Sequence, residues 1–200
     1  MREFDVKVEN VVAFASLGKN IPLKHVSKKL SEAEYNPDQF PGVVYRVTEP
    51  KAATLIFSSG KIVCTGSKNI KTAKTAMETV VDHIRKTGVR MPRKFNTKIE
   101  NIVASTQIDA KINLEDISFT LENVEYEPES FPGLVWRISE PRVAFLLFKS
   151  GRIICTGARN IEDIHSALGK FKEKLESIGV KVKAIPRVPK ESELQGKESN

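Results

Sequence analysis

Three histidines, two cysteines and a scatter of carboxylates are the residues from which this chain could build a catalytic centre. Their spacing builds none. Laid over itself at an offset of ninety-one residues, the sequence sets His25 on Asp116, His83 on Lys174 and His165 on Lys74, so no histidine recurs. There is no nucleophile–base–acid arrangement, no phosphate-cradling glycine loop and no C-x-x-C metal pair. Carboxylate pairs such as Glu32 and Glu34 read as solvated surface. Cys64 and Cys155 do occupy matching places, and reduced, buried thiols are the expected reading. Neither an enzyme nor a cofactor is expected. What recurs instead is the chemistry of binding: apolar strands bordered by Arg46 and Arg137, Lys61 and Arg152, Lys68 and Arg159.

The 200 residues carry a net charge of +7, which favours polyanionic partners such as nucleic acid. Residues Met1–Glu9 are charged and lack the apolar core of a secretory signal. No apolar run is long enough to cross a bilayer. A soluble intracellular protein with no membrane partner is the expectation.

The elements that position the recurring cations are themselves written twice. The segments Tyr35–Ile70 and Tyr126–Ile161 share roughly 20 identities over 36 positions, including FPGVVYRVTEP against FPGLVWRISEP and IVCTG against IICTG. ENVVA at Glu9–Ala13 lies over ENIVA at Glu100–Ala104 at the same offset, with no insertion. Two copies of so long a period form a duplicated domain rather than a solenoid. We read 1–91 as the first repeat, 92–183 as the second, and 184–200 as a flexible C-terminal tail. The two repeats are expected to form one structural unit about a pseudo-twofold axis.

Within a repeat the pattern gives a strand at Val6–Ala13, a short helix at Pro22–Leu30 and a strand at Val43–Val47. A hairpin of Ala52–Phe57 and Lys61–Thr65 follows, then a long helix from Ile70 that Gly88 stops. The loop Ser58-Ser59-Gly60 fits a type I turn with glycine in the left-handed position. That loop pairs Leu55 with Val63 and Ala53 with Thr65 on one face, and Ile56 with Ile62 and Thr54 with Cys64 on the other. Helices can cover one face of such a sheet. The other should then be polar, yet both sets are apolar. Either dimerisation buries the second face, or it is kept for a ligand. An apolar floor with a basic rim suits the DNA minor groove, which offers few hydrogen-bonding groups between two walls of phosphate.

The motifs FPG..(Y/W)R…EP, L(I/L)F.SG(K/R) and CTG(S/A)(K/R)N, each present in both repeats, closely resemble the TATA-binding protein family of general transcription initiation factors, over about Val6–Lys183. The resemblance implies an α+β saddle: a continuous curved antiparallel sheet of about five strands per repeat, with two helices per repeat on its convex face. It implies that Phe40, Phe57, Phe131 and Phe148 intercalate and kink DNA. Asn10 and Asn101 would bond minor-groove acceptors beside Thr65 and Thr156. Val12, Val103, Leu55, Leu146, Val63 and Ile154 would form the floor, and the six rim cations would meet phosphates. The implied partners are double-stranded A/T-rich promoter DNA, transcription factor B at Glu127 and Glu129, and the RNA polymerase pre-initiation complex. Ser130 stands where many members have leucine. A homodimer through the concave face is the alternative occupant when DNA is absent, and an RNA-binding module on the same sheet is the rival function. Closely similar repeats resemble the archaeal branch, which implies a chromosome-associated cytoplasmic protein; a eukaryotic member would be nuclear. Functional polarity between the halves is expected at Tyr45 against Trp136 and at the acidic loop Glu127–Glu129.

Overall fold

A computed structural model describes residues 4–110 and 112–184, so the expected tail lies, beyond Ala184, outside the described residues. The chain forms two compact units, one of residues 8–104 with 156–161, the other of 4–7, 105–155 and 162–184. In the first, alternation and helical period give β1 (Lys7–Ser16), α1 (Leu23–Lys29), β2 (Ala33–Glu34), β3 (Gly42–Val47), β4 (Ala52–Phe57), β5 (Lys61–Ser67) and α2 (Ile70–Lys86). The strands hydrogen-bond in the order β2-β3-β4-β5-β1, and the first half of β6 (Thr97–Asp109) continues the sheet beside β1. In the second unit the rest of β6 is followed by α3 (Leu114–Thr120), β7 (Val124–Glu125), β8 (Gly133–Ile138), β9 (Val143–Phe148), β10 (Arg152–Ala158, its last three residues counted with the first unit), α4 (Ile161–Ser177, from its second residue) and β11 (Lys183–Ala184). Its order is β6-β10-β9-β8-β7, with β11 pairing β6 at Ile108 and Asp109. The α+β duplication is therefore borne out, with five strands and two helices per repeat, and β11 in addition, among the described residues.

The hairpin register derived above holds: Leu55 faces Val63, Ala53 faces Thr65, and Ile56 faces Ile62. Gly60 has φ +80° and its N–H donates to the Phe57 carbonyl at 3.0 Å, which closes the turn. A Cβ on Gly60 would lie 2.1 Å from the Lys19 carbonyl oxygen, so only glycine fits there. The short helices were legible from their apolar spacing, and the long ones are anchored by their ends. Asn69 caps α2 by accepting the Thr72 N–H at 2.7 Å. At α4 the N–H groups of Gly179 and Val180 bond back to Glu176 and Leu175, the paired arrangement in which glycine ends a helix.

Each helix layer covers one parity of its sheet. Beneath α2, whose Ala73, Met77, Val80, Val81 and Ile84 are buried, lie Val43, Tyr45, Thr54, Ile56, Ile62 and Cys64. In the second unit Phe171 of α4 meets Phe145 with ring centroids 4.9 Å apart and Trp136 at 5.4 Å. Burial pushes the Cys64 thiol up to about 11 and the Cys155 thiol up to about 12, which keeps both protonated at neutral pH. Among the described residues no helix is long and apolar enough to cross a membrane.

Among the described residues two buried side-chain atoms have no partner, Arg85 Nε on α2 and the Ser67 hydroxyl. The Ser67 hydroxyl makes no hydrogen bond although the residue is 2% exposed, and its counterpart Ala158 has no hydroxyl to satisfy. An unpaired buried hydroxyl costs about 1–3 kcal/mol. Ser67→Ala should therefore raise stability by about 1 kcal/mol in chemical denaturation. A fall would show that the hydroxyl has a partner.

Candidate functional site

The opposite parity of each sheet carries no helix. In the first unit Val12, Leu55, Phe57, Val63 and Thr65 are all partly exposed, while their neighbours along the same strands are buried. In the second, Leu146, Phe148 and Ile154 behave alike; Val103 and Thr156, which fall in the first unit, are also partly exposed. The register adds residues that sequence reasoning passed over: Val44 faces Leu55 and Val135 faces Leu146. Their signal was present, since Val44 and Val135 share parity with Arg46 and Arg137.

At the hairpin end of each face two aromatic rings meet. Phe40 and Phe57 stand edge to face at 5.7 Å, and Phe131 and Phe148 at 5.8 Å. Phe131 is 39% exposed, one of two large apolar side chains so open among the described residues. The glycine of each FPG makes the ring pair possible. A Cβ on Gly133 would come within 2.8 Å of the Phe131 ring and 3.1 Å of the Phe148 ring, and one on Gly42 within 2.8 Å of the Phe40 ring. Parity settles Phe57 and Phe148, whereas Phe40 and Phe131 reach the face from a loop.

Asn10 sits where the sheet is irregular, and Asn101 is its counterpart in the second repeat. Between Val11 and Ala13 the pairing with β5 slips by one residue, so Thr65 and Gly66 together oppose Val12. Gly66 has φ +96° and its counterpart Gly157 φ +102°, the left-handed region that such a bulge requires. The bulge turns the Gly66 N–H onto Asn10 Oδ1 at 2.8 Å, and the Gly157 N–H onto Asn101 Oδ1 at 2.7 Å. A backbone N–H can only donate, so it fixes which end of each amide is oxygen. The Nδ2 atoms then donate to Thr65 Oγ1 at 2.9 Å and to Thr156 Oγ1 at 3.1 Å. Each amide nitrogen has two hydrogens, so one N–H per asparagine is left over on a partly exposed face. A donor without a protein acceptor suits a ligand that presents acceptors.

The cations Arg46, Lys61, Lys68, Arg137, Arg152 and Arg159 are all exposed. Arg137 lies 3.6 Å from Glu125 and Arg159 lies 3.4 Å from Glu100, exposed pairs worth little to stability. Beside Arg46 opens a cavity of about 520 Å³ also lined by Lys51, Val47 and Ala53. The matching place in the second repeat holds one of about 500 Å³ lined by Arg137, Arg142, Ile138 and Ala144. Lys51 and Arg142 are thus second cations at recurring basic hollows, readable as the residue after each Glu-Pro. Glu127 and Glu129 are exposed in the turn before β8, where the Glu127 carbonyl accepts from Ser130 and Phe131.

One expectation is corrected. Tyr45 and Trp136 are each 6% exposed and lie on the helix side, Tyr45 bonded through its hydroxyl to His83 Nδ1 at 2.8 Å. They share parity with Val43 and Leu134 rather than with the open face, so they cannot give it polarity.

A family model described as transcription factor TFIID, or TATA-binding protein, matches residues 5–87 and again 96–178. The TATA-box-binding protein of Methanothermobacter thermautotrophicus is 48% identical over 178 residues, 89% of this chain and 98% of the relative. That of Archaeoglobus fulgidus is 43% identical over 182 residues, 90% and 100% of the two chains. The solved structure of Methanococcus jannaschii TBP superposes with a TM-score of 0.81 at 40% identity, covering 86% of this chain and 99% of the other.

Proposed function

The chain belongs to the TATA-binding protein family, and on that premise we propose that it is a general transcription factor that binds A/T-rich promoter DNA in the minor groove and bends it. The observation that carries this reading is the open apolar face with a paired-ring wedge in each repeat. The family is itself the standard case of minor-groove binding by apolar wedges. Unstacking a base step costs a few kcal/mol, offset by burial of the rings and by contacts that the bend creates. Phe40 with Phe57, and Phe131 with Phe148, are the wedges. Val12, Val103, Leu55, Leu146, Val63 and Ile154 are the floor, joined by Val44 and Val135.

The asparagine geometry fits this ligand. Both A·T and T·A present only acceptors in the minor groove, adenine N3 and thymine O2. The left-over N–H of Asn10 and of Asn101 supplies a donor, its direction set by the bulge glycines. An apolar floor offers no acceptor for a guanine amino group, so A·T pairs are preferred. The six rim cations, with Lys51 and Arg142, meet phosphates and set position rather than sequence. Glu127 and Glu129 are the contact for transcription factor B, through which RNA polymerase is recruited; on the archaeal reading the protein acts on the chromosome in the cytoplasm.

The test is a mobility and bending assay on an A/T-rich promoter duplex, with and without transcription factor B. A bent complex that a minor-groove ligand displaces, and that factor B supershifts, is expected. Binding to single-stranded RNA with no bent duplex complex would overturn the reading. Within it, Arg137→Ala should weaken binding about equally for all duplexes and lower the salt slope by about 0.9, one phosphate's worth. A changed base preference would contradict a phosphate role.

A further inference from the structure

The open face matches between repeats almost position by position, and the exceptions lie on one strand. Along β1 the open-face residues run Asn10, Val12, Phe14, Ser16, and at the same offset along β6 they run Asn101, Val103, Ser105, Gln107. Asparagine matches asparagine and valine matches valine. Then a phenyl ring stands against a hydroxyl. Successive side chains of a strand alternate, so Phe14 shares its face with Asn10 and Val12. The register confirms it: Phe14 lies opposite Val63, which faces Leu55, which faces Val44. Phe14 therefore completes a cross-strand apolar row, between Val12 and the hairpin end that carries Phe57. It is partly exposed, so this row reaches the surface where the ligand sits.

We infer that Phe14, set against Ser105, is a specificity-determining pair that makes the first repeat's half of the face stricter for A·T than the second's. The inference rests on the proposed minor-groove function. A guanine puts its N2 amino group into the minor groove, as a bulge and as a donor. The Phe14 ring fills that space and has no acceptor to offer. Serine is smaller, and its hydroxyl has one O–H and two lone pairs, so it can accept beyond a single partner. A G·C pair is thus excluded under the first repeat and tolerated under the second. A nearly symmetric protein thereby gains a preferred way round on an asymmetric site.

The experiment uses the full chain and an A/T-rich duplex carrying one G·C pair in one half. Orientation is mapped by DNA cleavage from a reagent tethered at Ser59→Cys, on the exposed β4–β5 turn. The wild type should place its second repeat over the G·C half, with a bias on the order of tenfold, the discrimination typical of one mismatched pair. Moving the G·C pair to the other half should reverse the orientation. Phe14→Ser should bring the two orientations close to equal and remove the extra penalty for a G·C pair under the first repeat, measured relative to the same variant on the all-A·T duplex. Ser105→Phe should instead add a G·C penalty in the second half. An unchanged bias in Phe14→Ser, or an equal loss on every duplex, overturns the inference. Failure of the wild type to bind the all-A·T duplex overturns the proposed function instead.

Discussion

Phe148→Ala is expected to abolish the DNA kink at the second repeat's end of the site and to weaken binding about ten- to a hundredfold, while the protein stays folded. The ring is partly exposed and its largest aromatic contact is Phe131, edge to face at 5.8 Å. Such a ring pair contributes about 0.5–1.5 kcal/mol, so its loss is a small charge against a domain's usual 5–15 kcal/mol. In the complex the same ring would pass from partial exposure to burial between bases. Fully burying a phenyl side chain is worth about 1.5–3 kcal/mol, which is where the range in affinity comes from. Losing one wedge also leaves Phe131 without the neighbour that orients it. Phase-sensitive bending measurements should report one kink where the wild type gives two, and a thermal melt should barely move. A variant that melts early and still bends DNA when folded would place Phe148 in the core.

How far the sequence discloses this site depends on how each signal is written. The hairpin faces were legible because a three-residue loop fixes the register and the strands alternate from Ala53 opposite Thr65 to Ile56 opposite Ile62. The same rule, carried one strand further, would have put Tyr45 and Trp136 on the buried side, since each sits an even step from Val43 or Leu134. The sequence pattern gives the hairpin's second strand as Lys61–Thr65, which stops two residues short. The bulge lies at that point, and the strand runs on to Ser67. No local pattern announces that Gly66 donates to Asn10, fifty-six residues away. The two-residue strands β2, β7 and β11 are too short to show any period. Phe14 escapes the sequence reading because the pattern places the end of the first strand at Ala13, whereas β1 runs on to Ser16 and sets Phe14 opposite Val63.

Phe145→Ala, three residues from Phe148 on the same strand, should have the reverse effect. Phe145 is fully buried and faces α4, its ring 4.9 Å from Phe171 and 6.5 Å from Trp136. The first repeat places Thr54 here, its hydroxyl donating to the Tyr45 carbonyl at 2.8 Å, so the two cores solve the same position with different chemistry. Truncating a buried phenylalanine costs about 3–5 kcal/mol, because the neighbours close only part of the cavity. For a chain of this size that is roughly 10 °C of melting temperature. Well below the midpoint, the remaining folded protein should still bend A/T-rich DNA with near-normal affinity, since nothing on the open face has changed. Binding measured against the folded fraction separates the two effects. If Phe145→Ala left the melt untouched and removed the kink, the two parities of β9 would be interchanged. The wedge would then lie under the helices, and the open face could not be the one that meets DNA.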